Sequence, residues 1–289
     1  MSPVRLAVLT LLALVAFAGN SLLCRAALAH GGIDAATFTL VRLLSGAVVL
    51  ALLARLRTNG SGHGNWRSAL ALFAYAAAFS YAYLQLTAAT GALLLFGAVQ
   101  ATMIAHGLRM GERLRVPQWC GLMLACGGLV GLVLPGLSAP PLAGALLMLG
   151  AGVAWGVYSL RGRGVGDPLR ITAGNFLRAV PMAALLALLF VDRASLTPAG
   201  AGYAVLSGAL ASGVGYAIWY TALPRLRATT AATVQLCVPV LAALGGVMLL
   251  GEALTLRLLL ASAAILGGIA LVVVLGKSSA KPVSDTPDE

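Results

Sequence analysis

Residues 88–114 read AATGALLLFGAVQATMIAHGLRMGERL, and residues 228–254 read ATTAATVQLCVPVLAALGGVMLLGEAL. Laid over each other at a shift of 140 residues, Ala88, Thr90 and Ala92 meet Ala228, Thr230 and Ala232. Gly111-Glu112 meets Gly251-Glu252, and Leu114 meets Leu254. Ala82 and Leu86 also meet Ala222 and Leu226, and Gly127-Gly128 meets Gly267-Gly268. Slightly smaller shifts place Arg42 on Arg178 and Gly19 on Gly156. One ungapped shift that carries Gly-Glu and Gly-Gly to equivalent places marks an internal duplication.

Each copy is built for lipid. The 289 residues are 60% hydrophobic and only 9% charged, where soluble chains carry about 25% charged. So few polar side chains do not cover a water-facing surface. About 20 apolar residues cross the hydrocarbon layer as a helix, and lipid admits only helices or closed barrels. The apolar runs are continuous rather than alternating, which selects an all-α integral membrane protein.

The spans fall at 4–24, 35–55, 67–86, 88–108, 116–134, 141–161, 169–191, 199–223, 228–250 and 255–275. The sequence thus predicts ten transmembrane helices as two inverted five-helix repeats, 1–137 and 138–276, with a disordered cytoplasmic tail at 277–289. An odd number of spans per copy makes the second copy enter the membrane from the opposite side. The run Leu6 to Cys24 is longer than a usual signal-peptide core, and cleaving it would break the repeat, so it reads as a retained first helix.

The net charge of +11 orients the chain. With the N-terminus in the cytoplasm, fourteen of the nineteen Lys and Arg face inward and three, Arg25, Arg193 and Arg257, face outward. Arg42 and Arg178 lie within spans. That asymmetry fits the positive-inside rule and puts both termini in the cytoplasm. The arginines form no basic stripe, which argues against nucleic acid. Cys24, Cys120, Cys126 and Cys237 form no C-x-x-C pair and read as apolar fillers. No metal or cofactor is expected.

Phe38-Thr39-Leu40-Val41-Arg42-Leu43-Leu44, Ala88-Ala89-Thr90, Gly111-Glu112-Arg113-Leu114, Ala228-Thr229-Thr230-Ala231, Val238-Pro239-Val240 and Gly251-Glu252-Ala253-Leu254 carry a resemblance over nearly the whole chain. The pattern resembles the ten-helix EamA-type branch of the drug/metabolite transporter superfamily, and within it the YddG-type amino-acid exporters. The resemblance implies an inner-membrane exporter of metabolites, often amino acids. Val99-Gln100 stands where the second copy has Pro239, so the kink expected in the fourth span is in question.

Polar groups inside a bilayer default to function because burying them is expensive. Asn20, Gln100, Asn175 and Gln235 can each donate to a carboxylate and accept from an amine, or simply bond neighbouring helices. Tyr75, Phe79 and Tyr83 recur every fourth residue and share a helix face. Trp155 and Tyr158 are a turn apart, as are Tyr216 and Tyr220, flanked by Trp219. These aromatics suit either a cavity wall or an interfacial belt. Glu252 and Glu112 close the ninth and fourth spans, which suggests two clasps or gates, Arg42 with Glu252 and Arg178 with Glu112. Direct binding of a substrate carboxylate by either arginine is the alternative. No carboxylate is expected at mid-membrane, which favours uniport over proton coupling. Gly127 and Gly131 form a G-x-x-x-G, expected to pack the fifth span on the tenth rather than to join two copies.

The expected function is secondary transport of neutral or amphipathic metabolites, amino acids including aromatic ones above all, by alternating access. Nucleotide-sugar or sugar-phosphate exchange and drug export are the rivals. An intramembrane enzyme lacks its motifs, His30, His63 and His106 being peripheral. A small-molecule substrate, the bilayer, and a monomer (or a homodimer) complete the expected partners.

Overall fold

A computed structural model describes residues 1–29, 32–56, 62–111, 113–136, 139–162, 166–226 and 228–275. Ten spans run in order among the described residues: α1 Pro3–Ala29, α2 Ala35–Arg55, α3 Trp66–Tyr83, α4 Ala88–Arg109 and α5 Val116–Val133. The second half supplies α6 Leu142–Arg161, α7 Pro168–Leu189, α8 Pro198–Arg225, α9 Ala228–Gln235 resuming as Cys237–Leu250, and α10 Leu256–Leu275. Nine are long and apolar enough to cross a membrane on composition alone. The tenth, α3, carries Arg67, Ser68, Ser80 and three tyrosines that lower its hydropathy, yet it packs among α2, α6 and α7.

The contacts come in pairs related by the repeat. The second, fourth and fifth helices of one half meet their own counterparts, as α2 with α7, α4 with α9 and α5 with α10. Unlike pairs occur twice: α3 with α6 and α1 with α8, α4 with α6 and α1 with α9, α2 with α8 and α3 with α7. Such reciprocity is what a two-fold axis between inverted halves produces.

Local chemistry sets the helix ends. The Asp34 carboxylate accepts from Ala36 N and Thr37 N at 3.0 and 2.9 Å, and so caps α2. Its other oxygen accepts from Ser195 N at 3.0 Å, tying α2 to the loop before α8. Burial alone would raise the Asp34 carboxyl, but the hydrogen bonds from Thr37, Ser195 and Ala36 outweigh it and hold it below the usual value. Gly251 ends α9 at φ +64°, the left-handed cap that glycine adopts without penalty. Its counterpart Gly111 has φ +92°. The repeated Gly-Glu is thus a helix stop followed by a carboxylate.

Two helices depart from regularity. Pro239 has no N–H for the Gln235 carbonyl and its ring crowds that group, so the α-helix stops at Gln235 and restarts at Cys237. In α4, which has no proline there, the helix is unbroken. In α8, Leu206–Val214 widens into a π-helix. A Cβ on Gly208 would run into the Arg42 carbonyl, and one on Gly46 would lie 2.7 Å from Phe176, so α2, α7 and α8 approach closely there.

The α5–α10 contact exists, but not through the expected pair. A Cβ on Gly121 would come within 2.6 Å of the Gly268 carbonyl, and one on Gly128 within 2.8 Å of Ala264. Gly127 and Gly131 have no atom near their missing Cβ and are exposed. Helical phase puts them one residue off the contact face.

Candidate functional site

A cavity of about 590 Å³ lies between the two halves, within the roughly 300–1,000 Å³ usual for small-ligand sites. Eleven of the twelve residues expected around a cavity line it: Asn20, Tyr75, Phe79, Gln100, Trp155, Tyr158, Asn175, Tyr216, Trp219, Tyr220 and Gln235. One wall is a continuous aromatic stack. Trp155 lies 5.4 Å from Tyr216 at 17° and 5.3 Å from Tyr158 at 29°, and Tyr216 lies 6.2 Å from Tyr220 at 26°. Phe17 closes on Tyr216 and Trp219. Uncharged polar groups stand beside the stack. The Tyr158 hydroxyl meets Thr172 Oγ1 at 3.4 Å and accepts from Asn175 Nδ2 at 3.4 Å, and Thr172 Oγ1 donates to the Tyr220 hydroxyl at 3.2 Å. None of the described lining residues is Asp or Glu.

The cavity reaches one end of the bundle only. Ser68 at the start of α3, Arg161 and Gly162 at the end of α6, and Pro168 at the start of α7 line its mouth. There Arg161 donates to Ser68 Oγ at 3.2 Å and to Asn65 Oδ1 at 3.4 Å.

The opposite end is shut by a clasp. Arg25 Nε donates to Glu252 Oε1 at 3.0 Å, and Arg25 Nη1 to the Tyr83 carbonyl at 3.1 Å. The other Glu252 oxygen accepts from Ala88 N at 2.8 Å, at the N-terminus of α4. An anion there is favoured by the unpaired N–H groups and the helix dipole. The Arg25–Glu252 pair therefore joins α1, α3, α4 and α9.

Two expectations change here. Glu252 pairs with Arg25, not Arg42. The Gly251 stop holds Glu252 at the bundle end, level with the last turn of α1, whereas Arg42 lies two turns inside α2. Arg42 instead donates from Nη2 to the Tyr75 hydroxyl at 2.8 Å. Tyr83 does not line the cavity. Its hydroxyl donates to the Ala88 carbonyl at 3.3 Å and its ring stands edge-on to Phe79 at 4.7 Å, so it packs the closed end. Arg178 donates to the carbonyls of His63 and, at 2.9 Å, Gly174, while Glu112, its expected partner, lies outside the described residues. Arg25 and Arg161 escaped the sequence reading, although a shift of 136 superposes them just as it superposes Arg42 and Arg178.

The pattern of the EamA-like transporter family matches residues 5–134 and again 142–274. The chain belongs to that family. It is a multi-pass membrane transporter and not an enzyme. Among relatives, the Pseudomonas aeruginosa protein PA1977 is 61% identical over 279 residues, 95% of this chain and 97% of that one. The threonine/homoserine exporter RhtA of Salmonella typhimurium is 38% identical over 136 residues, and that of Escherichia coli K12 is 38% identical over 131. These two matches span under half of either chain, 45% and 43%. A solved protein structure superposes at a TM-score of 0.68 with 20% identity, over 96% of this chain and all of its own, which speaks for the fold alone. The EamA-like halves meet at the cavity, each contributing wall.

Proposed function

We propose that this EamA-like protein exports neutral amino acids, aromatic ones included, by alternating access around the cavity. One observation carries this: an aromatic and amide-lined cavity sits between inverted halves, open at one end and clasped at the other. The open end is the arginine-rich face, so the positive-inside rule makes it cytoplasmic, with both termini on that side. The conformation is then the one that loads substrate from the cell. Amide and hydroxyl groups suit the polar pole of an amino acid, and the stacked rings suit an apolar or aromatic side chain. The likeness to the threonine/homoserine exporters points the same way. Phosphorylated substrates fit less well, since Arg161 at the mouth is the one cation among the described lining residues.

The test is transport by purified protein in liposomes loaded with labelled threonine, homoserine, leucine, phenylalanine and tryptophan. Saturable efflux of several of these is expected, at a rate changed less than about twofold by a pH gradient, because a proton-coupled carrier needs a titratable group at mid-membrane. Silence across the panel would remove the amino-acid assignment. Strong dependence on the gradient would overturn uniport.

A further inference from the structure

Arg42 is the one charged side chain that is buried among the described residues, 2% exposed. It has no carboxylate partner there. The titratable groups that face it are Tyr75, Cys24 and Tyr216, all ordinarily neutral at pH 7. Its guanidinium carbon sits 4.8 Å from the centre of the Phe79 ring and 5.2 Å from that of Tyr75, and both rings line the cavity. Its Nη2 donates to the Tyr75 hydroxyl, while Nε and Nη1 are buried with no hydrogen-bond partner among the described residues. A buried cation with unmet donors and no counter-charge is expensive. Ring faces return only part of that cost, on the order of 2 kcal/mol.

Tyr75 relays this charge to the cavity. Its oxygen accepts from Arg42 Nη2 at 2.8 Å and from Asn20 Nδ2 at 3.3 Å. Asn20 is itself fixed by Ser207, whose hydroxyl donates to Asn20 Oδ1 at 2.7 Å from the π-helical stretch of α8. Guanidinium and amide N–H groups only donate, so they occupy both lone pairs of the phenol. The Tyr75 hydrogen is left for a third partner, and Tyr75 lines the cavity. A phenol that accepts from a cation is polarised into a stronger donor.

We propose that the inner end of the cavity is a carboxylate subsite, in which the Tyr75 hydroxyl donates to the substrate's carboxylate and Arg42 behind it supplies the counter-charge. The subsite rests on the amino-acid reading above and narrows it: the substrate enters carboxylate first, its side chain against the Trp155–Tyr216 stack. Tyr75 is the contact and Arg42 the positioning residue.

Trp155 reports binding, since its ring lies 4.7 Å from Tyr75. Tryptophan fluorescence, to which the lining Trp155 and Trp219 contribute, is titrated in purified full-length protein with L-phenylalanine and with L-phenylalaninamide, which differ only at the carboxyl. Wild type is expected to bind the acid at least about tenfold more tightly, the scale of one hydrogen bond to a charged group. Tyr75→Phe keeps the ring and should erase most of that ratio while leaving amide affinity within about twofold. Arg42→Lys should retain part of the ratio and Arg42→Gln none. Circular dichroism and thermal melts establish that each variant is folded, and a purely structural Arg42 would lower both affinities together. Equal affinity of wild type for acid and amide overturns the subsite while leaving amino-acid export standing. Competition by inorganic phosphate as strong as by the amino acid overturns its assignment to carboxylates. If no amino acid binds or moves, the export reading falls and the subsite with it.

Discussion

Glu252 does two jobs at once, and they make different demands on its charge. As the partner of Arg25 it needs any anion; as the cap of Ala88 N it needs an acceptor at a helix N-terminus. The side chains of Arg25 and Glu252 are only 20% and 10% exposed, so the pair escapes most of the screening that makes surface pairs weak. Glu252→Gln should therefore loosen the closed end. In a variant keeping only the native Cys24, buried just inside the clasp, labelling by an impermeant thiol reagent from outside should rise about tenfold, the effect of roughly 1.4 kcal/mol. The charge swap Arg25→Glu with Glu252→Arg should recover only part of the closure, because it sets a guanidinium against the N-terminus of α4. Full recovery would show that the cap contributes nothing. At this scale the sequence was half readable. Glu252 was recognisable as a helix-end carboxylate in a repeated motif, and most cavity residues as polar or aromatic groups in apolar runs. Its partner was not, because Arg25 and Arg42 both lie toward the clasped end and only the helix crossing decides which one reaches it.

Between helices, fit rather than charge decides. The π-helical stretch of α8 seats Gly208 against the Arg42 carbonyl and Ser45 of α2. Gly208→Val forces that contact apart, and overpacking typically costs about 1–3 kcal/mol. A thermal melt in detergent should show a fall of several degrees, whereas Gly202→Ala, in open space on the same helix, should match or slightly exceed wild type because alanine favours helix. Glycines are plain in a sequence, but which of them touches a neighbouring backbone is not, so the wide turn in α8 had no signal of its own. The break in α9 did, since Pro239 dictates it locally. The cap of α2 is equally local, and it carries a pH signature. Asp34→Ala should cost about 1 kcal/mol at neutral pH. Because hydrogen bonds lower the folded-state value, the advantage of the native carboxylate is complete above its unfolded pKa of about 4 and fades as pH falls through the lower folded value. Melting wild type and Asp34→Ala from pH 7 to pH 3 should show the two curves converging in acid.

For the whole molecule, the repeat becomes a mechanism only if the halves are truly upside-down. Reciprocal contacts such as α3 with α6 and α1 with α8 follow from a two-fold axis, and the equivalent Arg25 and Arg161 stand at the clasped end and at the mouth of the cavity, which puts that axis in the membrane plane. That architecture was legible early, because a 140-residue shift with five spans per copy leaves no other parity. The one-sided opening was not, since both copies carry the same Gly-Glu stop and sequence cannot say which clasp is shut. The arrangement has a direct consequence for Arg113 and Ala253, equivalent at that shift and both exposed. In a background without native cysteines, Arg113→Cys should react with an impermeant thiol reagent only from the cytoplasmic side and Ala253→Cys only from the outside. Substrate should leave that sidedness unchanged, because alternating access tilts helices about the cavity without moving their ends across the bilayer. Labelling of both cysteines from the same side would make the halves parallel. A parallel pair would put the repeat's counterpart of the Arg25–Glu252 clasp at the same end, and with no second clasp for the other end the protein would have a cavity but no second state in which to release what it holds.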